Sequence, residues 1–481
     1  MSCRLNPSRL FAAALPLLLS ACAAVGPDYR TPEIPVPAAW RGGAPADAAA
    51  PALGRWWQSL DDVQAVALVD AALEHSPDLL SAQANLRAAR AQWRAAGADL
   101  GPTLEGATGA SRSRGSRETG SSGDANTFYQ AGFDARWELD LFGATRRGIE
   151  AARADLAASE YTLADAQASL VAEVLTNLTQ YRATAQRLEI ARRNLAAQGE
   201  TLQITDWRVQ AGLVGALDLE QARANQAQTE AQVPALETQL EAYANALAVL
   251  VGLPPGQLQG PLATGADLPP VPARVDTGIP ADLLRRRPDL RAAERQLAAA
   301  TARIGAAEAA RYPSVVLTGS LGLEALSFGA LGGAEALTRS LAGSIGATLF
   351  DGGRLRAQVD LQQANRDAAY EAYRQAVLVA LQDVEDALVE VANGRRREGS
   401  LATAAEAARN AALLARHQYE AGIVDFRTVL DTERTRLAAE DSHASARAEL
   451  VTARIRLIKA VGGGLPAEAG DPRQLQMGMI R

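Results

Sequence analysis

The sequence predicts an α+β membrane protein in which one helix–strand–strand–helix–helix unit occurs twice. Three features of the 481 residues carry that reading. The chain repeats itself at a spacing of ~210 residues, the mark of a duplicated structural unit. Two proline-free gaps, 103–233 and 314–465, leave room for helices far beyond globular length. Three segments of about ten residues alternate apolar and polar side chains, as membrane-barrel strands do, and a fourth, near 103–113, does so weakly, with only Leu104 and small residues on its better face.

The repeat is visible by eye. "PDLLSAQANLRAARAQWRAAGADLGPTL" from Pro77 aligns without a gap with "PDLRAAERQLAAATARIGAAEAARYPSV" from Pro288, with twelve identities in 28 positions. Seven of these are alanine, yet Pro77/Pro288 and Pro102/Pro313 keep the same separation. Leu141-Phe142-Gly143 answers Leu349-Phe350-Asp351-Gly352. Ala211-Gly212-Leu213-Val214 answers Ala421-Gly422-Ile423-Val424, and Val251-Gly252 answers Val461-Gly462.

From the N-terminus, Arg4 and Arg9 precede an apolar run, Leu10 to Leu19, that ends in Leu19-Ser20-Ala21-Cys22. This describes a secretory signal over 1–21, too short to span a bilayer. The ending resembles a bacterial lipobox, which makes Cys22 the lipid-attachment residue, with acyl chains such as palmitate. Cys3 leaves with the signal. An ordinary signal with Cys22 incidental is the plainer alternative. Acylation tethers a protein to a membrane without making it span. Ala23 rather than Asp resembles lipoproteins sent to the outer membrane. Residues 22–50, rich in proline, read as a leash between anchor and body.

The first repeat covers 51–260 and the second 288–466, with a linker at 261–287 and a tail at 467–481. Each opens with an alanine-rich helix, 76–99 and 288–311. Strands are expected at about 103–113, 127–140, 314–323 and 341–350. Tyr129, Ala131, Phe133, Ala135, Trp137, Leu139 and Leu141 share one face of the second. Residues 114–126 and 324–340 read as surface loops. A helix of about 65 residues follows each strand pair, on the order of 100 Å at 1.5 Å per residue. Val174, Tyr181, Leu188, Leu195, Leu202 and Val209 recur every seven residues, a period that favours left-handed supercoiling. A glycine turn then leads to a second helix. Asp61-Asp62 reads as a helix start, and Asp425 as an N-cap.

No apolar run of eighteen residues follows the signal, so spanning requires strands. Four strands cannot close a barrel, and an open sheet leaves unpaired edges in lipid. The chain must oligomerise to span. Two copies give eight strands and three give twelve; the physics does not choose between them. A periplasmic coiled-coil structural lipoprotein, its strands kept out of lipid, is the alternative.

Net charge is −7, which disfavours nucleic acid as a partner. Of the 48 basic residues only Lys459 is lysine. His75, His417 and His443 show no ligand spacing, so neither metal nor cofactor is expected. No nucleotide loop or catalytic constellation is present, so the chain does not read as an enzyme.

At this point the residues resemble the outer membrane factor family of TolC-like efflux channels, in its NodT-type lipoprotein branch. The matching stretches are "GPDYRTPEIPVPAAW" after the lipobox, "RWWQSLDD", "ALEHSPDL", "WELDLFG", "RRRPDL", "YPSVVLTGSLG", "LFDGGRL", "QYEAGIVDFRTVLD" and "AVGGGLP". Their order and duplication carry the resemblance. It implies a homotrimer with a twelve-stranded β-barrel in the outer membrane of a Gram-negative bacterium. A long periplasmic α-helical barrel would continue it, girdled by pieces from 51–75, 253–287 and 461–481. It further implies a periplasmic adaptor protein and an inner-membrane transporter as partners. The two turns, Gly212-Leu213-Val214 and Gly422-Ile423-Val424, would be the adaptor-docking tips. A glycine C-cap with a local apolar contact explains the same residues. Asp431 matches a family gate aspartate, with Thr428 where some members carry a second acid. Arg427 stands where some relatives have an apolar gate residue, and pairing with Asp431 at i,i+4 is its bland role. Asp218 is the corresponding acid of the first repeat, or a charge that favours its helix N-terminus. Three copies of Asp431 about an axis would repel one another and attract cations.

Overall fold

The computed structural model describes residues 24–41, 55–119, 123–258, 262, 267–273, 275, 277–278 and 280–463. Cys22, expected to carry the lipid, the expected signal 1–21 and the expected tail 467–481 lie outside the described residues. Helices α1 (Val63–His75) and α2 (Pro77–Ala98) lead into strands β1 (Thr103–Arg114) and β2 (Ala125–Leu139). Then come α3 (Ala144–Gln210), α4 (Ala216–Glu230) and α5 (Gln232–Leu250). A short α6 (Pro280–Arg286) precedes α7 (Pro288–Ala309), β3 (Ser314–Ala325) and β4 (Leu337–Gly346). The chain closes with α8 (Arg354–Glu420) and α9 (Phe426–Ala460).

The duplication shows in the lengths of three element pairs. α2 and α7 have 22 residues each, β1 and β3 have 12, and α3 and α8 have 67. α9 runs unbroken for 35 residues, whereas its counterpart is split at Ala231 into helices of 15 and 19. Pro234 explains the split. It has no N–H to donate to Glu230, and its ring crowds that carbonyl, so it sits in the first turn of a fresh helix. The quoted Leu-Phe-Gly motifs prove to be helix starts. Asp140 accepts from the N–H groups of Thr145 (3.2 Å) and Arg146 (2.9 Å), and Asp351 from those of Gly353 and Leu355 (both 2.9 Å).

Two compact units divide the described residues: one draws on 1–33, 86–159 and 292–374, the other on 34–85, 160–291 and 375–481. The first holds an antiparallel sheet in the order β1-β2-β3-β4. Its register sets Leu104 opposite Ala135, Phe133 opposite both Gly106 and Leu321, and Val315 opposite Ile345. One face therefore carries Leu104, Phe133, Trp137, Leu317, Leu321, Leu341 and Ile345, and the other Glu105, Asp134, Arg136, Thr318, Ser320 and Ser344. Arg339, opposite Leu321, breaks the apolar face near its loop end. β4 differs from expectation, beginning at Leu337 and ending at Gly346 rather than spanning 341–350. Gly346 pairs with Ser314, the first residue after Pro313, so 347–350 find no ladder beside them. β2 likewise starts at Ala125, because β1 pairs as far as Arg114.

The N-terminal segment differs as well: residues 24–41 are docked, not a free leash. Val25 N–H donates to Phe142 O (3.0 Å), and the Arg147 guanidinium holds Val25 O (3.1 Å), Gly26 O (3.2 Å) and Asp28 (2.7 Å). Gly26 (φ 91°) crosses Gly305 of α7 so closely that a Cβ on it would lie 2.4 Å from the Gly305 Cα. Tyr29 and Thr31 both donate to the buried Glu294, at 2.9 and 3.1 Å. In the second unit Trp40 is buried and donates to Gly278 O (3.0 Å). Proline suits such a strap, since it fixes φ and leaves no donor unsatisfied.

The second unit contains the main core. Trp57, Val69, Leu175, Leu178, Leu247, Ile455 and Ile458 are fully buried together, with Leu258, Leu262, Leu268 and Val271 from the linker region. Each fully buried aliphatic side chain stabilises by ~1.5–3 kcal/mol. The heptad positions Val174, Tyr181 and Leu188 are buried, and Leu195, Leu202 and Val209 half-buried. The helix start at Asp61-Asp62 is as expected: Asp62 caps α1 through Ala65 N–H (3.0 Å). It also pairs with the buried Arg182, which donates to Gln64 (2.8 Å) and Asp267 O (2.9 Å). Among the described residues no helix is long and apolar enough to cross a membrane.

Arg182→Met should leave the Asp62 carboxylate without its main partner, at a cost of about 3–5 kcal/mol, seen as a lower Tm of the detergent-solubilised protein. Burial raises the Asp62 pKa, but the Arg182 and Ala65 bonds outweigh it and leave the group below its ordinary value. A depressed carboxylate adds stability above its unfolded pKa and loses it as pH falls through the folded value. The Tm difference between native and variant should therefore shrink on acidification below pH ~4.

Candidate functional sites: the helical turns and the apolar sheet face

The turns Ala211–Gly215 and Ala421–Asp425 are built alike. Gly212 (φ 70°) and Gly422 (φ 74°) take the left-handed conformation that ends a helix. Leu213 N–H donates to Arg208 O and Ile423 N–H to Gln418 O, both 2.8 Å. Gly212 N–H and Gly422 N–H close the companion bonds to Val209 O and Tyr419 O, both 2.9 Å. The two turns lie at the same end. Arg208 donates to Tyr419 O (2.7 Å) and stacks over the Tyr419 ring at 4.3 Å, and Tyr419 meets Phe426 edge-on at 5.9 Å. Tyr419, Phe426, Val429, Leu430 and Ala222 form a small buried cluster with Val424 against it.

Capping thus accounts for the glycines, and packing for Val424. Neither accounts for Leu213 (68% exposed) or Ile423 (72%), nor for Leu217 (69%) one turn further on. Val214 is half-buried. Leu217 and the exposed Trp207, one turn before Gly212, were not singled out from sequence. Leu217 was findable from its i,i+4 spacing to Leu213.

Asp425 caps α9, accepting from Thr428 N–H (2.9 Å) and from the Thr428 hydroxyl (2.7 Å), and these bonds hold its pKa below the ordinary carboxylate value. Thr428 is therefore occupied in capping. Asp431 and Arg427 are exposed on one face of α9, 3.9 Å apart. Asp218 is half-buried in the first turn of α4, whose N-cap Gly215 offers no side chain. The three histidines lie apart: His417 is 3.5 Å from Glu420 and His443 3.2 Å from Glu398. Among the described residues no His, Cys, Asp and Glu group could hold a metal. One cavity, ≈ 1030 Å³, is lined by Leu188 and Leu240 together with paired charges such as Arg192–Glu237 (2.7 Å) and Arg409–Glu440 (2.9 Å). Such walls offer no activated nucleophile.

The sheet is the other candidate site. Leu104, Leu321, Leu341 and Ile345 stand 54–85% exposed, and Phe133 58%. Trp137 turns its indole N–H to Leu100 O (2.9 Å), and Phe142 stacks on Tyr312 at 4.7 Å. Aromatic groups at the end of an apolar strand face are what membrane–water boundaries select.

Comparison with known proteins agrees with this geometry. The description "Outer membrane efflux protein" matches residues 68–253 and 279–463, one match per repeat. Nodulation protein T of Rhizobium leguminosarum bv. viciae is 34% identical over 471 residues, 97% of this chain and 96% of that protein. The pyoverdine export outer membrane protein OpmQ of Pseudomonas putida is 34% identical over 95% of this chain and 97% of its own length. The solved structure of the outer-membrane channel OprN superimposes with a TM-score of 0.84 at 37% identity, covering 92% of this chain and 99% of that one. The chain belongs to the outer membrane efflux protein family.

Proposed function

We propose that this chain is the outer-membrane duct of a tripartite efflux system, and that three copies close one twelve-stranded barrel. Cargo is delivered by an inner-membrane transporter through a periplasmic adaptor protein, and the duct itself is passive. The observation that carries this is the amphipathic sheet with two unpaired edge strands, continuous in sequence with two 67-residue helices. In lipid those edges are satisfied only by further copies. A scaffold kept out of the membrane would leave Leu104, Phe133, Leu341 and Ile345 facing water. Acylation at Cys22 rests on the lipobox, and the choice of cargo falls to the pump. The repeat boundaries 51–260 and 288–466 divide the duct into its two like halves, and the adaptor docks on Leu213, Val214, Ile423 and Val424 beside Gly212 and Gly422. Asp431, with Arg427 beside it and Asp218 as its counterpart in the first repeat, faces the narrowed end and sets its charge.

Extraction in mild detergent followed by negative-stain electron microscopy tests the duct. Three-fold tubes are expected, and compact monomers would sink the reading. Phe133→Asp should block insertion, because a charge on the lipid face of a barrel is destabilising in proportion to depth; the check is the protein's partition between membrane and soluble fractions.

Leu213→Asp combined with Ile423→Asp should leave stability within about 0.5 kcal/mol, as exposed substitutions do. Outer-membrane levels should stay normal while export is lost, read as raised sensitivity to the pump's substrates in the producing strain.

Asp431→Asn removes three carboxylates from the ring at once. In planar bilayers the reversal potential in a salt gradient should shift towards weaker cation preference. An unchanged reversal potential would remove Asp431 from the gate.

A further inference from the structure

The charged residues of the sheet are sorted by sign as well as by face. Strand register puts Glu105, Asp134, Glu138 and Glu324 on the polar face, together with Arg136. The apolar face carries Arg112, Arg114 and Arg339, and no acid among its strand positions. Arg112 stands eight residues beyond Leu104 and Arg339 two before Leu341, and an even count keeps each on that face. β2 and β3 place no charge there. All three arginines belong to β1 and β4, the strands whose outer sides are unpaired. All three also lie at one end, that of the connections 115–124 and 326–336. Arg114 is the last residue of β1, Arg112 is two residues before it, and Arg339 is two residues after the first of β4.

An arginine on the lipid face of a barrel costs ~2–4 kcal/mol at the bilayer midplane and ~0–1 kcal/mol near its boundary. A strand end is therefore where such residues are tolerated, and the edge-on Tyr129–Phe328 pair (5.9 Å) marks this end as a boundary. Tolerance explains neither the single sign nor the restriction to edge strands. Closure makes the sign costly. β4 of one copy then lies ~4.8 Å from β1 of the next. The ladder ends step down from Arg114 on β1 to Ala325 on β3 and Leu337 on β4, as tilted strands require. Equal distance from the loop end thus means similar depth, and Arg339 comes beside the next copy's Arg112 and Arg114. Like charges on neighbouring strands repel. Arg114 donates to Gly123 O (2.6 Å), whereas the exposed Arg112 and Arg339 have no hydrogen bond or ion pair among the described residues.

We propose that Arg339 of one copy, with Arg112 and Arg114 of the next, clasps a phosphate group of an outer-leaflet lipid across each seam of the closed barrel. The proposal rests on the duct reading, in which the helices lead into the periplasm and the loop end meets the outer leaflet. A guanidinium fork takes phosphate oxygens two at a time. The anion turns repulsion across the seam into a bridge, so the lipid helps to hold neighbouring copies together. A lipid fits better than a free phosphate, because Leu321 lies opposite Arg339 and Leu341 two residues deeper, where acyl chains run. Phe328 (75% exposed) and Leu337 (56%) add apolar surface at the same end.

Native mass spectrometry of the detergent-purified full chain, titrated with lipid A, tests it. Trimers should bind lipid A more tightly than the same lipid stripped of its phosphates, up to one lipid for each seam. Arg112→Gln combined with Arg339→Gln should weaken lipid A binding by about thirtyfold. Arg136→Gln, on the polar face, should leave it unchanged. Equal binding of phosphorylated and dephosphorylated lipid to the native trimer would overturn the proposal, and that comparison needs no variant. So would an affinity that the double substitution leaves as it was. Displacement of the lipid by inorganic pyrophosphate at matched concentration would mark a site for free phosphate and overturn the lipid clasp. A native protein that forms no trimers would refute the duct reading and the clasp with it, whereas a trimer indifferent to phosphate refutes the clasp alone.

Discussion

A peptide group cannot be left unpaired in hydrocarbon, and the rest of this structure depends on that rule. Three antiparallel ladders satisfy the inner strands, which leaves one side of β1 and one side of β4 open. Strand number makes the remedy simple. With four strands in strict alternation, β4 of one copy runs antiparallel to β1 of the next, so head-to-tail closure repeats a geometry the sheet already contains. The exposed Leu104, Phe133, Leu341 and Ile345 then become the surface that lipid wets. The duplication supplies the even number: each repeat contributes one antiparallel pair, and β2–β3 pairing joins the two.

Away from the sheet, much of the long-range order is carried by arginine. Arg147 gathers two carbonyls and Asp28 from the strap and Glu150 from its own helix. Arg182 gathers Asp62, Gln64 and Asp267 O. A planar, always-charged fork serves several acceptors at once, which lysine's point charge does not. Such sites are stable only when every partner is present, so each one reports on whether distant segments have met. Asp28 lies 119 residues before Arg147 and Asp62 120 before Arg182, and both contacts tie the N-terminal region to α3.

Long elements were legible in the sequence because their signals sum over many residues. Proline spacing left room for α3 and α8 without fixing their ends, the strand pairs before them and the glycine turns after them did the rest, and the repeat placed their counterparts. Strand ends were less legible, since pairing decides them. Nothing in "LAGSIGATLF" says that the ladder stops at Gly346; the answer lies with Pro313 on the neighbouring strand. The strap was misread as a leash for the same reason. Its proline content does favour extended chain, but Tyr29, Trp40 and Gly26 find their partners more than 200 residues away. At the turns, glycine and the following apolar pair stood out, whereas Arg208 and Tyr419 acquire their roles only once two helices lie side by side.

The two repeats have not stayed equivalent in their second helices. α9 is capped by Asp425 and runs 35 residues without a break, carrying Asp431 on its first turns. Its counterpart begins at Gly215 with no side-chain cap and breaks at Ala231. A side-chain cap stabilises a helix start, and a break inside a helix marks where its axis can turn. α3 meets α9 through the Thr201–Glu433 and Asn194–Arg436 bonds (both 2.8 Å), and Arg434 ties α9 to Asn225 of α4 (2.9 Å). Divergence after duplication left one half with a capped, unbroken helix and the other with an uncapped helix interrupted at Ala231.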